Sequence, residues 1–479
     1  MKNESFMKEF TTLYGFFTSA EVSADPGIRQ ALSRLRRAAL FRYRPEFLQK
    51  EAAKALYGNR IVGGISRMET GAKCLLFQHL RYGLHLKERD LYEFAPVDGG
   101  TLMHAVLQRF DALLQENGLT WRSFTREDAL RLSEQALKET AVSYRNLILY
   151  KSARDENRLH RYQRRLLRTV DTLQYQLMQG DLLPAASELS FGGADGQMPE
   201  IHYALGNGRH LDLIGRIDRV DLAIADNVRY LRIIDYKSSR NDLREDLIRR
   251  GLQLQLILYM QALLESGPAN IDRLARNGHI PLLDTGEIRE NAGPGHDGMI
   301  PSAMLYYRMD DPVIELPPGD ALSLAAADGS SGQGNFPESE SPEAEIAPPE
   351  IPDTENPLPE LPETRKLLKP TGLVYQDDES ISHMDRTLLP SVTSQVIPVG
   401  LKKDGGYTAA SRVINEEDYK SLSAGAVEVL CRLANSILDG EITASPAVID
   451  SRTTACDYCP YSASCGFDPR TPGYSRRRQ

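Results

Sequence analysis

The chain has 479 residues, too many for one compact core, so two or more structural units are expected. Hydrophobic residues at 41% and charged residues at 26% fit a soluble globular protein and exclude a fibrous or wholly disordered one. The net charge of −9 argues against a nucleic-acid partner at first sight, but nine acids and no Lys or Arg fall within Pro337–Glu363, and the rest of the chain is neutral.

Residues 1–60 read as a helical lead-in carrying the basic run Arg29–Lys50. The first residues, "MKNESFMKEF", lack the apolar core of a signal peptide. No stretch of about 18 apolar residues suggests a membrane span, so a cytoplasmic protein is expected. The first part of the main core is expected over 61–316. It begins with a segment holding Cys74, followed by "GTLMHAVLQRFDALL" with apolar residues at helical spacing. "TRED" at Thr125 marks a helix start for long charged helices reaching residue 180, with a second basic run at Arg158–Arg168. These basic runs permit a nucleic-acid surface without requiring one.

Strands dominate from Glu188 to Tyr236. A helix, "GLQLQLILYMQALLESG", is closed by Gly267, and "AMLYYRM" (Ala303–Met309) is another strand. Residues 317–365 are rich in Pro, Gly, Ser and Glu, have little to bury and are expected to be disordered. Order is expected again over 366–470, with a helix at Glu416–Leu438, and a basic tail at 471–479 ends the chain.

The stretch "LDLIGRIDRVDLAIADNVRYLRIIDYKSS" (Leu211–Ser239) sets charges into strands that otherwise resemble sheet interior. A two-residue turn at Asp226-Asn227, both tolerant of the required conformations, places Asp218 opposite Asp235, with Cα atoms about 4.5–5.5 Å apart. Lys237 shares the face of Asp235, and Arg216 is expected to face Lys237. Two carboxylates so close repel unless a cation lies between them. Mg²⁺ suits a few carboxylate oxygens together with water and phosphate oxygens, and a neighbouring lysine can stabilise developing negative charge. The pattern is that of a metal-dependent phosphodiesterase; on an exposed sheet face it would be a solvated ion-pair patch. Glu188 is within reach from its own strand, but an edge salt bridge accounts for it as well, and it is left out of the expected site.

Five cysteines are present. Cys456, Cys459 and Cys465 form a C-x₂-C-x₅-C cluster, which in an intracellular protein suggests metal ligands rather than disulfides. Cys74 can complete a set of four. Cys431, in a helical pattern, is expected to be a buried apolar residue. Four thiolates serve zinc and iron–sulfur clusters alike.

"GRIDRVD", "IIDYKSS" and "GLQLQLILY" together resemble the RecB-type branch of the PD-(D/E)XK nucleases, and within it the nuclease domain of the AddB family. The likeness extends from about Leu56 to Asp468 through "GTLMHAVLQRF", "SELSFG", "AMLYYRMDDP", "HMD" and "CDYCPYSASCGFD". It implies an α/β fold with a restriction-endonuclease-like core: a mixed central sheet flanked by helices, with added helices and an iron–sulfur staple. It implies that His104, Asp218, Asp235 and the Tyr236 carbonyl bind Mg²⁺, with Asp218, Asp235 and Lys237 catalytic. Gln255 and Tyr259, one helical turn apart, position DNA or brace the site. Cys74, Cys456, Cys459 and Cys465 would hold a [4Fe–4S] cluster, although the usual Cys-Pro-Phe reads "CLLF" here. Linear and single-stranded DNA, degradation of the strand with the 5′ end, an AddA-like helicase–nuclease partner and a role in double-strand-break repair follow from the same likeness. No G-x-x-x-x-G-K-[ST] loop is present, so the chain corresponds to the nuclease part of such a subunit with a short lead-in. A CRISPR-associated RecB-like exonuclease, a catalytically silent DNA-binding module and a zinc-stabilised scaffold are the competing readings.

Overall fold

The computed structural model describes residues 2–17, 19, 25–87, 89, 94, 96–144, 148–150, 152–193, 196–283, 298–312 and 362–477. The segment 317–365 expected to be disordered lies outside the described residues as far as 361. In chain order the elements are helices α1 (Lys2–Phe17), α2 (Pro26–Ala39) and α3 (Lys50–Tyr57), strand β1 (Arg60–Gly63), and helices α4 (Ile65–Lys73), α5 (Leu75–Gln78), α6 (Pro96–Glu116), α7 (Arg126–Ser143) and α8 (Ala153–Gln179). Strands β2 (Leu183–Phe191), β3 (Ile201–Gly206), β4 (Arg209–Leu213), β5 (Gly215–Ala225) and β6 (Val228–Lys237) follow. Then come α9 (Glu245–Arg249), α10 (Gln255–Ser266), α11 (Pro268–Asn277), β7 (Leu282–Leu283) and β8 (Met299–Arg308). The last are α12 (Pro362–Leu367), β9 (Thr371–Tyr375), α13 (Asp378–Met384), β10 (Val413–Ile414), α14 (Glu416–Leu438) and α15 (Ser462–Cys465).

The chain forms two compact units. One comprises Met1–Arg60, Thr70–Glu88 and Leu433–Gln479; the other comprises Ile61–Glu69 and Arg89–Arg432. The expected lead-in thus belongs with the cysteine-bearing end, and the long central stretch is a body of its own.

That body is built on a mixed sheet in the order β10-β9-β8-β6-β5-β2, with β7 also paired to β5. The strand pairs β2–β5, β5–β6 and β8–β9 are antiparallel, whereas β6–β8 is parallel. β8 is buried along nearly its whole length, as expected for an interior strand with both faces covered. Helices α10, α6 and α13 pack on β8, β2 and β9 among others. A second sheet has the order β1-β4-β3.

Local chemistry sets several boundaries. Asp226 and Asn227 have φ of 49° and 66°, the paired positive values that a two-residue hairpin with right-handed strand twist requires. Thr125 and Asp128 form a reciprocal capping box at the start of α7. The helix expected from Gly251 begins four residues later, at Gln255, because the Leu254 and Gln255 N–H groups both donate to Glu69 Oε1 at 2.8 and 3.3 Å. A carboxylate there satisfies donors that a helix start leaves open.

The hairpin also buries charges that its sequence pattern does not explain. Arg219, Asp221 and Arg232 are 2%, 0% and 4% exposed. The Asp221 carboxylate accepts from Arg219 Nε at 2.5 Å and from Arg232 Nε at 2.8 Å. Removing one member would strand a buried charge, which costs several kcal/mol, roughly 3–5.

In the smaller unit, Tyr43 stacks on Tyr474 at 4.0 Å and its hydroxyl accepts from Ala444 N at 2.7 Å. Arg477, within the expected tail, donates to Ala72 O at 2.8 Å, to Gly71 O at 3.2 Å and to Ser445 O at 2.9 Å. It thereby caps the carbonyl end of α4 with a cation. α14 is long and apolar enough by length and composition to cross a membrane, a property the residue pattern does not suggest; its buried positions Leu422, Ala426, Leu430 and Ile437 form the stripe of a core helix.

Candidate active site

Three neighbouring strands each contribute one carboxylate. The pairs Ser187–Arg219 and Leu189–Ile217 place Glu188 of β2 opposite Asp218 of β5. The β5–β6 ladder follows the expected register, and its last pair is Arg219–Ile234, one step short of Asp218 and Asp235. There the Asp218 side chain takes over from the backbone and accepts from Tyr236 N at 2.8 Å. Glu188 has a φ of 53°, a strained value for a residue with a side chain, and such strain concentrates at functional sites.

His104 enters from α6. Apolar neighbours Leu102, Met103, Val106 and Leu107 are buried, which fixes the helix face and leaves the imidazole partly open. Its Nε2 donates to the Tyr236 carbonyl at 3.0 Å, and its Nδ1 stands 3.6 Å from Glu188 Oε1 and 3.5 Å from Asp218 Oδ2. Ligand atoms of His104, Glu188 and Asp218 all lie within 4.8 Å of one another. Glu188, which the residues alone left outside the site, is therefore inside it.

Asp235 is 2% exposed and is not in that group of three; its Oδ2 is held by Lys237 Nζ. Lys237 Nζ also donates to Gln255 Oε1 at 3.5 Å and stands 5.4 Å from the centre of the Tyr306 ring. Gln255 Nε2 donates to Tyr259 OH at 3.4 Å. Gln255 and Tyr259 thus form a hydrogen-bonded chain behind the lysine. Arg216 does not face Lys237 as expected: it pairs with Glu188 Oε2 at 2.6 Å, drawn across β2–β5 to the nearer carboxylate.

Crowded acids shape the electrostatics. Burial, followed by the charge of Asp235, pushes the Asp218 carboxyl up to about 7. Burial also raises Asp235, against the opposing pull of Lys237. Burial by itself would lower His104, but Glu188, Asp218 and Asp235 outweigh it and hold the imidazole above its usual value. Crowded carboxylate oxygens beside an imidazole suit a hard divalent cation, so the residues fit the metal that the pattern implies.

This carries a sign. An unfolded aspartate titrates near 3.9, so the metal-free native state holds a proton on Asp218 that the unfolded chain has released. Its contribution to stability is present below about pH 4 and is lost as pH rises toward about 7. Divalent metal requires the deprotonated form and reverses the trend. The rise in melting temperature on adding MgCl₂ is expected to be larger at pH 8 than at pH 5.5; an equal rise at both would rule out metal binding at Asp218. Glu188→Gln, nearly isosteric, is expected to weaken Mn²⁺ binding by about tenfold or more in a calorimetric titration, and unchanged affinity would remove Glu188 from the ligand set.

All four expected cluster cysteines belong to the smaller unit. Cys74, Cys456, Cys459 and Cys465 line one cavity with Phe77, Leu80 and Phe467. Their sulfurs are not drawn together around a single ion: among the described residues, the group with ligand atoms within 4.8 Å of one another is His104, Glu188 and Asp218. Phe467 N donates to Cys465 Sγ at 3.5 Å. Burial, then the neighbouring thiols, pushes Cys456 up to about 11. Cys431 is half-buried rather than buried and does not line the cavity.

Comparison with known proteins places the chain in a family. A family described as the PD-(D/E)XK nuclease superfamily matches residues 65–466. Proteins named as the B subunit of an ATP-dependent helicase/deoxyribonuclease are similar along nearly the whole chain. The one from Lachnoclostridium phytofermentans is 29% identical over 98% of this chain and 34% of its own length. Those from Heliobacterium modesticaldum and Moorella thermoacetica are 30% and 32% identical over 92% and 91% of this chain, and 32% and 33% of theirs. The chain therefore spans about a third of the length of these relatives.

Proposed function

This chain belongs to the PD-(D/E)XK nuclease superfamily, and from that membership we propose that it is a divalent-metal-dependent deoxyribonuclease, the nuclease part of an AddB-like protein. It would act on linear DNA in double-strand-break processing, beside an AddA-like helicase partner; the relatives' name, the B subunit of an ATP-dependent helicase/deoxyribonuclease, supports a DNA substrate and a partner subunit. The observation that carries the reading is the row of Glu188, Asp218 and Asp235 across β2, β5 and β6, with Lys237 beside its last member.

Mg²⁺ held by His104, Glu188, Asp218 and Asp235, with the Tyr236 carbonyl alongside, would supply positive charge to the phosphodiester and lower the pKa of water. Hydrolysis joins the water oxygen to phosphorus and breaks one bridging P–O bond. Lys237, steadied by Gln255 and Tyr259, places its ammonium where negative charge gathers on the phosphoryl oxygens. His104 donates to the Tyr236 carbonyl and so keeps its Nδ1 turned to the carboxylates. Glu69 is a positioning residue: it holds the start of α10 and with it Gln255. The test is cleavage of end-labelled linear single-stranded DNA with MgCl₂ or MnCl₂, abolished by EDTA. Absence of cleavage with either metal would overturn the proposal.

A structural [4Fe–4S] cluster on Cys74, Cys456, Cys459 and Cys465 belongs to the same proposal. Support comes from four thiols around one cavity, spaced more widely than ligands of a single ion, with a backbone N–H directed at one sulfur. The cluster would tie residue 74 to the chain's end within the smaller unit, whereas the carboxylate row belongs to the other unit.

A further inference from the structure

A cavity of about 540 Å³ opens beside the carboxylate row. Lys237 and Tyr306 form one end, and Arg240, Arg244, Arg308, Lys366, Lys369 and Arg412 line the rest, with Asp242 the one acid among the lining residues. Seven cations against one carboxylate is a local excess that a chain of net charge −9 does not produce by composition.

Four of the seven have acidic partners: Lys237 has Asp235, Arg240 has Asp242, Arg244 has Asp246 and Arg308 has Asp310. Lys366, Lys369 and Arg412 have no carboxylate within 4.0 Å among the described residues. Among the described residues, Lys369 Nζ donates to the Ser394 carbonyl at 3.3 Å and Arg412 Nη2 to the Leu243 carbonyl at 2.8 Å. The Lys369 side chain is partly buried, and burial depresses its ammonium, whereas Arg412 is exposed. Charge held out of water against neutral carbonyls alone is costly, and an anion in the cavity would offset that cost. The walls are fixed beforehand: the loop leaving Lys237 is pinned where the Thr371 hydroxyl donates to Asn241 O and where Arg412 donates to Leu243 O.

We propose that this cavity is a phosphate track for a single strand of nucleic acid, in which Lys366, Lys369 and Arg412 hold backbone phosphates next to the one being cut at Lys237. The proposal rests on the nuclease reading and deepens it. A cavity of this volume suits a ligand of drug size, about one or two nucleotides of an extended strand, and is too small for a duplex. Cations directed at phosphates, with one aromatic ring at the end nearest the carboxylates, make the binding independent of base sequence.

Binding of fluorescein-labelled 20-nucleotide single strands to the full chain is measured by anisotropy in EDTA, so that cleavage plays no part. Lys366→Ala combined with Lys369→Gln is expected to weaken binding about tenfold, equally for every sequence tried. The slope of log affinity against log salt should fall by about 0.7 for each phosphate no longer held. Lys369→Arg should restore both. In MgCl₂, the double variant should raise KM for the long strand and keep kcat. The control pair Lys138→Ala with Arg276→Ala, exposed cations of the same unit that do not line the cavity, should leave affinity and slope nearly unchanged. If Lys369→Gln unfolds the chain, exposed Lys366→Glu alone must show the loss. An unchanged slope in the double variant, an equal loss in the control pair, or the same losses with duplex bound more tightly than single strand would overturn the track. Loss of binding in the double variant with no metal-dependent cleavage by the wild type would keep the track and sink the nuclease reading.

Discussion

Asp235→Ala is expected to abolish magnesium-dependent cleavage, by at least about a thousandfold, while the chain remains folded. A charged group working in a site shielded from water typically contributes this much. The carboxylate is 2% exposed, raised by burial, and adds to the charge that pushes up Asp218. Its removal relieves repulsion between acids, so the metal-free melting temperature should stay level or rise. Lys237 loses its partner, but it is partly open to solvent and can be hydrated. Lys237→Ala should also stop turnover, for a different reason: metal binding should persist, because the lysine supplies charge rather than a ligand. Asp235→Asn guards against a packing defect, since it keeps the volume and loses the charge. Undiminished cleavage by the Asp235 or Lys237 variants in an end-labelled DNA assay would reject the assignment.

If the proposed cluster is present, Cys459→Ala is expected to remove its iron–sulfur colour and to cost about 10 °C or more in melting temperature. Thiols with pKa raised by burial do not become thiolates near pH 7 without metal, so metal binding and the order of the cavity are coupled. A metal centre coupled to folding in this way contributes several kcal/mol, and each kcal/mol shifts the midpoint by about 2–4 °C in a unit of moderate size. Cys431→Ala, on α14 and away from the cavity, should keep the colour and lose only a modest packing contribution. Visible absorbance and iron and zinc analysis of anaerobically purified protein check both variants. Retention of four irons by Cys74→Ala would exclude the upstream ligand. Zinc without iron in the wild type would overturn the cluster.

What the residues determine unaided is what depends on near neighbours in the chain. Asp226-Asn227 sets its own turn, and with it the β5–β6 register, because positive φ at both residues is a property of that dipeptide in a hairpin. Thr125 and Asp128 start a helix because a hydroxyl and a carboxylate three residues apart reach each other's N–H groups. α14 spans the interval that apolar spacing marks out. The ordered motifs identify the family, and the mixed sheet with flanking helices agrees with it. Tertiary structure decides the rest, because pairing between distant strands and loops leaves no trace in local pattern. Glu188 joins His104 and Asp218 only because β2 pairs with β5 in one particular register, and the same pairing takes Arg216 away from Lys237. α10 starts at Gln255 because Glu69, 186 residues earlier, accepts from its first N–H groups. The Arg219–Asp221–Arg232 cluster reads as three scattered charges until the sheet closes over it. The basic cavity draws on residues 237–244, 306–308, 366–372 and 398–412: no segment is notably basic by itself, and the charge becomes a site only where the fold gathers them around one space.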